Sequence, residues 1–259
     1  MSSIQSIPDI TFDLVERLFP LTAPPDDTAL NFLTSKIHDR NAFSEKLKDS
    51  MNVIKDAIYQ SKKQNKDICV SFNGGKDCCV VLYLFYHIAE KMNFVQNDNK
   101  LKVVNLKIKR QFEEMKNFLD SLLQNYYSAS KIDFIENQGV DMRECLGSFK
   151  NDYPNVWFNL MGTRRNDGRY FLNFNNFQIT DDGWPQFMRV CPILDWTYHE
   201  IWYFIKRFNI PYCKLYDEGY TSIDNADNTT ENQMLYDEEL RKYNPAYMLN
   251  DGNDERTGR

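Results

Sequence analysis

The sequence lacks the features that define several common classes of protein. Its six cysteines include no Cys-x-x-Cys pair, and its three histidines lie far apart, so a zinc site is not expected. No apolar run approaches the roughly 18 residues that would predict a membrane-spanning helix, and the N-terminus carries no secretory signal. We therefore expect a cytoplasmic protein with reduced thiols and no membrane partner.

The sequence also lacks an excess of basic residues. Its net charge is -6, with 31 Lys and Arg against 37 Asp and Glu, so a nucleic-acid partner is not expected. The length and the 42% hydrophobic content suit a globular domain with a full core, and we expect a monomer that binds small molecules. A local cluster for an anionic substrate could still form from six arginines: Arg164, Arg165, Arg169, Arg189, Arg256 and Arg259.

The most informative segment is a glycine-containing loop between a predicted strand and a predicted helix. Ile68 to Phe72 is short, apolar and β-prone, residues 73–75 (Asn-Gly-Gly) permit a tight turn, and an apolar helix begins near Cys79. Such a turn directs backbone N–H groups toward an anion at the helix N-terminus. Lys76 adds a cation, and Asp77 adds a carboxylate that could hold Mg²⁺ or fix the loop. We expect a nucleotide site here; an ordinary strand-to-helix turn is the alternative.

The loop differs from a Walker A motif, which has four residues between its first glycine and its Gly-Lys pair and a Ser or Thr after the lysine. Its order, Ser71-x-Asn-Gly-Gly-Lys-Asp77, resembles the pyrophosphatase loop of enzymes that cleave ATP between the α and β phosphates. This resemblance implies adenylyl transfer rather than hydrolysis of the γ-phosphate.

Strand and helix patterns alternate around this loop. After the first strand, strands and helices are predicted in turn at 101–106, 111–124, 131–136, 141–150 and 156–161. An amphipathic helix at 41–63 precedes the first strand. This order predicts an α/β fold with a doubly wound, mostly parallel sheet and helices on both faces.

The pattern changes after residue 168. Residues 168–190 are predicted to form a long irregular loop, and Thr197 is predicted to open a helix with a capping box. We therefore expect one α/β domain over residues 1–223, with an N-terminal helical segment. Residues 224–259 are predicted to be an irregular C-terminal extension with one helix near 232–242.

A second polar motif follows the strand predicted at 156–161. Gly162 permits close approach of a ligand to the backbone, Arg164 and Arg165 can bind phosphate through paired N–H groups, and Asp167 can ligate Mg²⁺. In a doubly wound sheet, ligands bind at the carboxyl ends of strands where the strand order reverses. We therefore expect this motif to share one crevice with the loop at 73–77; a charged surface loop is the alternative.

A third motif combines a carboxylate pair, an aromatic plane and a cation within residues 178–189. Trp184 could cover a flat heterocycle, or it could anchor this loop to the core.

Four motifs in this order resemble eukaryotic FMN adenylyltransferases (FAD synthetases), the branch related to phosphoadenylylsulfate reductases. They are the loop at 71–77, Gly-x-Arg-x-x-Asp at 162–167, Trp-Pro-x-Phe-x-Arg-x-x-Pro-Ile-Leu-x-Trp at 184–196 and Leu-Tyr-x-x-Gly-Tyr-Thr-Ser-Ile at 215–223. The match covers about residues 67–223 and resumes in Glu255-Arg-Thr-Gly-Arg259. It implies that AMP passes from ATP to FMN, giving FAD and pyrophosphate, with Mg²⁺. At the end of the second strand, residues 105–107 (Asn-Leu-Lys) stand where relatives carry an acidic residue.

The resemblance also implies roles for individual residues. Asn73, Asp77, Asp167 and Arg256 would serve catalysis, the two aspartates acting through the metal rather than as general bases. Around the ATP phosphates, the nucleotide would be bound by Ser71, Phe72, Gly74, Gly75 and Lys76, with Gly162 and Arg164 beside them. The backbone of Leu106 and Thr163 would bind the adenine half, and Asp181, Trp184 and Arg189 would bind on the flavin side. Arg259 would fold back over the site together with Arg256.

Other functions make different demands on the sequence. A phosphoadenylylsulfate reductase needs a nucleophilic cysteine in its C-terminal tail, but no cysteine follows Cys213. A tRNA-thiolating enzyme would need paired cysteines and a basic face, which this sequence lacks. Two alternatives stay open at this stage: another enzyme that cleaves ATP between the α and β phosphates, such as a sulfate-activating or phosphoadenylylsulfate-handling enzyme, and a nucleotide-binding module without turnover.

Overall fold

A computed structural model describes residues 10–18, 27–95, 100–108, 110–125, 127 and 130–259. Within those ranges, every helix is too short or too polar to cross a membrane.

In the described ranges, three helices precede the sheet: α1 (Ile10–Leu18), α2 (Thr28–Lys36) and α3 (Arg40–Gln64). The Asp39 carboxylate accepts the N–H of Ala42 at 2.9 Å and so fixes the start of α3. Asn65, with φ of 51°, ends it in the left-handed conformation. The buried stripe of α3 is the one that its periodicity predicts, and it comprises Phe43, Leu47, Met51, Ile54 and Ile58.

A six-stranded sheet forms the centre of the described structure. Its strands lie in the spatial order β3-β2-β1-β4-β6-β5, and all neighbouring strands are parallel except β5 and β6. The strands are β1 (Asp67–Ser71), β2 (Leu101–Lys107), β3 (Ile132–Gln138), β4 (Val156–Leu160), β5 (Phe177–Ile179) and β6 (Met188–Val190). The helices that follow β1 in the described part of the chain are α4 (Lys76–Lys91), α5 (Glu113–Asn125), α6 (Met142–Asp152) and α7 (Tyr198–Arg207). The predicted α/β fold is therefore confirmed.

Burial follows the position of each strand in the sheet. Ile68, Cys69 and Val70 of central β1 are all buried, because helices cover both faces of the sheet there. In β3, at the edge, only Ile132 and Ile135 are buried. The largest buried cluster joins β1 to α3, α4 and α7, and a smaller cluster packs on the opposite face of the sheet.

Two local predictions are wrong. Residues 168–190 are not a single irregular loop, since β5 and β6 pair within them and β6 extends the sheet beside β4. The predicted helix near 232–242 is instead a short 3-10 helix followed by a hairpin of β7 (Tyr236–Asp237) and β8 (Lys242–Tyr243). The Asp237 carboxylate accepts the N–H groups of Glu239 and Leu240, so it stabilises a turn in place of a helix.

The strand order reverses between β1 and β4. After β1 the chain proceeds to β2 and β3 on one side, whereas β4 and β6 lie on the other side. The loops that leave the carboxyl ends of β1 and β4 therefore emerge side by side, which is where open α/β sheets bind ligands.

Candidate active site

The two loops at the reversal point are in contact. A Cβ atom on Gly162 would lie 2.8 Å from the backbone nitrogen of Cys78 and 2.9 Å from the carbonyl carbon of Asp77, so only glycine permits this approach. Below the loops, the Ser71 hydroxyl donates to Oδ1 of Asn159 at 2.9 Å and joins the end of β1 to β4. The structure thus brings the motifs at 71–77 and 162–167 together in one crevice.

The loop after β1 has a defined shape. Gly74 has a φ of 84°, which favours glycine, and the Asn73 side-chain oxygen accepts the N–H of Gly75 at 3.0 Å. Gly75 is the N-cap of α4 and has no side chain to cap it, but the Tyr216 oxygen accepts the N–H of Lys76 at 3.0 Å. A residue 140 positions away therefore supplies the missing cap.

A cluster of buried charges, made up of Lys76, Asp77, Arg164, Asp167 and Glu255, lies beside this loop. Lys76 and Arg164 are only 2% and 1% exposed. The Lys76 ammonium contacts Oδ2 of Asp77 at 2.9 Å and also Oε1 of Glu255. Arg164 lies 2.8 Å from Oδ1 of Asp77, 3.3 Å from Oδ1 of Asp167 and 2.6 Å from Oε2 of Glu255. Each buried cation thus has at least two carboxylate partners, as burial of charge requires.

The contact between Arg164 and Asp77 is an ion pair without an aligned hydrogen bond. Nε of Arg164 and Oδ1 of Asp77 are 2.8 Å apart, yet neither atom has a hydrogen-bond partner in the described part of the chain. Burial alone would raise the pKa of Asp77, but Arg164 and Lys76 outweigh it and hold the pKa below its ordinary value. Asp77 is therefore an ionised carboxylate with one oxygen that is free of directed hydrogen bonds.

The C-terminal tail closes the cluster from the other side. Nη2 of Arg256 lies 3.2 Å from Oδ1 of Asp167. Arg259 pairs instead with Oδ2 of Asp224 at 3.2 Å and donates to the Ser222 hydroxyl at 2.9 Å. The structure therefore brings Arg256 to the predicted site and holds Arg259 against the segment 222–224.

A cavity of about 600 Å³ opens beside the Asn73 loop. Nine predicted site residues line it: Ser71, Phe72, Asn73, Leu106, Gly162, Thr163, Asp181, Trp184 and Arg189. The predicted residues that are not part of its lining are Gly74, Gly75, Lys76, Asp77, Arg164, Asp167, Arg256 and Arg259. The predicted site therefore divides into a ligand-sized cavity and an adjacent charged region.

One end of the cavity combines aromatic rings with a carboxylate and a cation. The Tyr170 hydroxyl donates to the Asp181 carboxylate, and Arg189 donates to the Tyr170 oxygen at 3.1 Å. The Arg189 guanidinium lies over the Phe174 ring, 4.7 Å from its centroid. The Trp184 ring is covered by Arg143 at 5.1 Å, while Trp184 also lines the cavity. These contacts hold Asp181 and Arg189 in fixed positions on the cavity wall.

Of the three residues that depart from the relatives at the end of β2, residues 105–107, only Leu106 lines the cavity. Val104 and Leu106 line the cavity, and Asn105, whose side chain alternates with theirs, does not. Asn105 is fully buried, and neither of its amide atoms has a hydrogen-bond partner within the described residues.

Several residues of the site carried no prediction from the sequence, among them Tyr170, Tyr216 and Glu255. Tyr216 and Glu255 both lie within motifs that resemble the FMN adenylyltransferases, at 215–223 and 255–259. Their position within those two motifs was therefore the sign in the sequence that Tyr216 and Glu255 belong to the site. Tyr170 lies in the segment that was predicted to be an irregular loop, and no pattern distinguished it.

Comparison with known proteins agrees with this architecture. The profile of the phosphoadenosine phosphosulfate reductase domain matches residues 67–159 and 150–231. A probable FAD synthase of Schizosaccharomyces pombe is 38% identical over 200 residues, which cover 76% of this chain and 72% of that protein. A probable FAD synthase of Caenorhabditis elegans is 33% identical over 223 residues, covering 84% of this chain but only 41% of the longer relative.

A solved structure has the same fold. The FMN adenylyltransferase of Candida glabrata, in complex with FMN and an ATP analogue, superimposes with a TM-score of 0.77. The alignment covers 96% of this chain and 97% of the other at 24% identity. The chain belongs to the FAD synthase family, whose fold is that of the phosphoadenosine phosphosulfate reductase domain.

Proposed function

We propose that this chain is a nucleotidyltransferase that transfers AMP from ATP to the phosphate of FMN, giving FAD and pyrophosphate. One observation carries the proposal: the 600 Å³ cavity begins at the ends of β1 and β4 beside Asn73 and continues to Tyr170, Trp184 and Arg189. Its volume falls within the range of small-molecule sites, about 300–1,000 Å³. Family membership supports the same reaction.

The chemistry requires no nucleophile from the protein. A phosphate oxygen of FMN attacks the α-phosphorus of ATP, a new P–O bond forms, and the bond to the β-phosphate oxygen breaks with release of pyrophosphate. Both reactants are anions, so the protein must align them and offset their repulsion. The positive end of the α4 dipole, at the end of this loop, would provide one such environment.

The donor set of the charged region fits Mg²⁺. Magnesium is usually bound through one or two carboxylates together with substrate phosphates. The described residues contain no group of three or more side chains with metal-ligand spacing, and Asp77 and Asp167 supply two carboxylates that contact the same guanidinium. These two residues would hold the ion, which would offset charge on the phosphates. The Asp77 oxygen without a directed hydrogen bond supports this assignment.

The remaining roles follow from position. Asp181, Trp184 and Arg189 would contact the flavin, because they lie together on the aromatic end of the cavity. Leu106 and Thr163 would contact the adenine half from the strand ends. Both residues line the cavity, which supports a backbone role at its wall.

The reaction is tested by mixing the chain with ATP, Mg²⁺ and one of three acceptors: FMN, riboflavin or sulfate. We expect pyrophosphate release with FMN alone, matched by an equal amount of FAD on chromatography. Asp77→Asn should abolish most of the turnover, whereas Asp56→Asn, which removes the same charge from the exposed face of α3, should not. Release of pyrophosphate with sulfate, or none with FMN, would contradict the proposal.

We also propose that the chain acts as a monomer in a reducing cytoplasm. All the residues of the site described above come from one chain, and the six cysteines are free thiols. Sedimentation should give a mass near 30.7 kDa for the active species, and cell fractionation should recover the activity with cytoplasmic markers. An active species of twice that mass would contradict the first part.

A further inference from the structure

Glu255 has an unusual position for a residue so close to the chain end. Its side chain is buried, although its neighbours Asn253 and Arg256 are exposed. Oε2 lies 2.6 Å from Nη2 of Arg164, and Oε1 contacts the Lys76 ammonium, 179 positions away in sequence. One carboxylate thus joins the two most deeply buried cations of the site.

The charge of the cluster depends on this contact. Lys76, Arg164 and Arg256 contribute three positive charges, and Asp77 and Asp167 contribute two negative ones. Their net charge is therefore +1, and the carboxylate of Glu255 brings it to zero. Without Glu255, Lys76 would keep Asp77, and Arg164 would keep Asp77 and Asp167, but these side chains together with Arg256 would carry one uncompensated positive charge.

The backbone around Glu255 is fixed separately. The Thr221 hydroxyl donates to the Glu255 carbonyl at 2.6 Å, and the Asn232 amide donates to the Asp254 carbonyl at 2.8 Å. Residues 252–256 form a short 3-10 helix, so Glu255 faces the cluster while the next side chain, Arg256, reaches Oδ1 of Asp167 at 3.2 Å. Anchoring Glu255 therefore sets where Arg256 lies.

We propose that Glu255 is a positioning residue for adenylyl transfer. Its carboxylate locks Lys76 and Arg164 to the tail and thereby holds Arg256 beside Asp167, at the edge of the crevice. Lys76 and Arg164 then act as anchors of the tail, in place of the direct phosphate contacts that the sequence led us to expect. This inference rests on the proposed function for its kinetic consequences and on the contacts above for its structural ones.

The kinetic test uses Glu255→Gln, Arg256→Ala and the double variant, with Glu239→Gln as a charge-matched control on the exposed β7–β8 turn. A displacement of about 1 Å costs on the order of 10²-fold in rate. We expect Glu255→Gln to lower kcat by about 10- to 100-fold with little change in the KM for FMN. The double variant should be no slower than Arg256→Ala, since Glu255 acts through Arg256. Fully additive losses, or wild-type kcat in Glu255→Gln, would overturn the inference.

Hydrogen exchange tests the anchoring without activity. We expect the amides of 252–259 to exchange faster in Glu255→Gln than in the wild type, while those of α3 do not change. Unchanged exchange of the tail would overturn the inference. If the wild-type chain forms no FAD, the proposed reaction fails and exchange alone decides the anchoring. If Glu255→Gln does not fold, Glu255→Asp, which keeps the charge one methylene shorter, is judged by the same criteria.

Discussion

The hydroxyl of Tyr216 allows the geometry of the loop at 73–75 to be tested without a change of charge. Its oxygen accepts the Lys76 N–H at 3.0 Å, at the first turn of α4, where Gly75 offers no side-chain cap. The ring is 1% exposed and packs edge-on against Trp202, with the ring centroids 5.2 Å apart. Tyr216→Phe therefore removes one hydrogen-bond acceptor and keeps the packing of the ring.

The size of the effect follows from what is left behind. A buried N–H group that loses its acceptor costs about 1–3 kcal/mol. Loss of a helix N-cap costs about 0.5–2 kcal/mol. Both figures describe the same contact and are not added. We therefore expect the free energy of unfolding to fall by about 1–2 kcal/mol, and the KM for ATP to rise because the loop loses a fixed point.

Urea unfolding measures this change as a shift in midpoint at constant slope. Tyr59→Phe is the control, because Tyr59 is 60% exposed and its substitution should change the free energy of unfolding by less than about 0.5 kcal/mol. Equal urea midpoints for Tyr216→Phe and Tyr59→Phe would refute the claim that the Tyr216 oxygen caps the N-terminus of α4. The loop conformation derived from that hydrogen bond would then be wrong.

Two further predictions concern the contact between the loops and the charge cluster. Gly162→Ala should lower the free energy of unfolding by about 1–3 kcal/mol and reduce FAD formation, because its Cβ would lie 2.8 Å from the Cys78 nitrogen. Thermal unfolding and turnover measure these two effects, and wild-type values in both would contradict the prediction. Arg164 and Lys76 lower the pKa of Asp77 by more than burial raises it, so the pKa of the folded state lies below the ordinary value of 3.8. The ionised Asp77 therefore stabilises the fold fully above pH 3.8, and this contribution is lost as the pH falls through the lower pKa of the folded state. Urea midpoints between about pH 5 and about pH 2 should therefore fall less steeply for Asp77→Asn than for the wild type, and parallel curves would rule this out.

The sequence was most informative where one residue pattern had one structural meaning. Ile68 to Val70 is a continuous apolar run because a central parallel strand is covered on both faces, and the glycines that follow can only be a turn. The strands β5 and β6 gave no such signal. Each has three residues, too few for periodicity, and β6 joins the sheet through its pairing with β4 rather than through its own composition.

Some residues of the candidate site were predictable from the sequence and others were not. Asn73 and Gly162 were found because turn residues after strands have a local reason to be there. The role of Glu255 depends on a partner 179 positions away, and that of Tyr216 on one 140 positions away. Their motifs mark them as family-like, but nothing in those motifs indicates which partners they contact. Only the tertiary structure brings these side chains to the loop.

The exposure of the four cations decides which of them can meet an incoming phosphate. A cation beside a glycine loop is usually a phosphate ligand, which is why Lys76 and Arg164 were expected to be ligands. In the folded chain these two side chains are 2% and 1% exposed and are neutralised by carboxylates, whereas Arg256 and Arg259 are 43% and 29% exposed. The cluster of Lys76, Asp77, Arg164, Asp167 and Glu255 has a net charge of −1, so its two cations are already offset before a substrate phosphate arrives. Under the proposed reaction, we therefore expect the phosphate charge to be offset by Arg256, Arg259 and the proposed Mg²⁺, which would give the end of the chain a direct part in the chemistry.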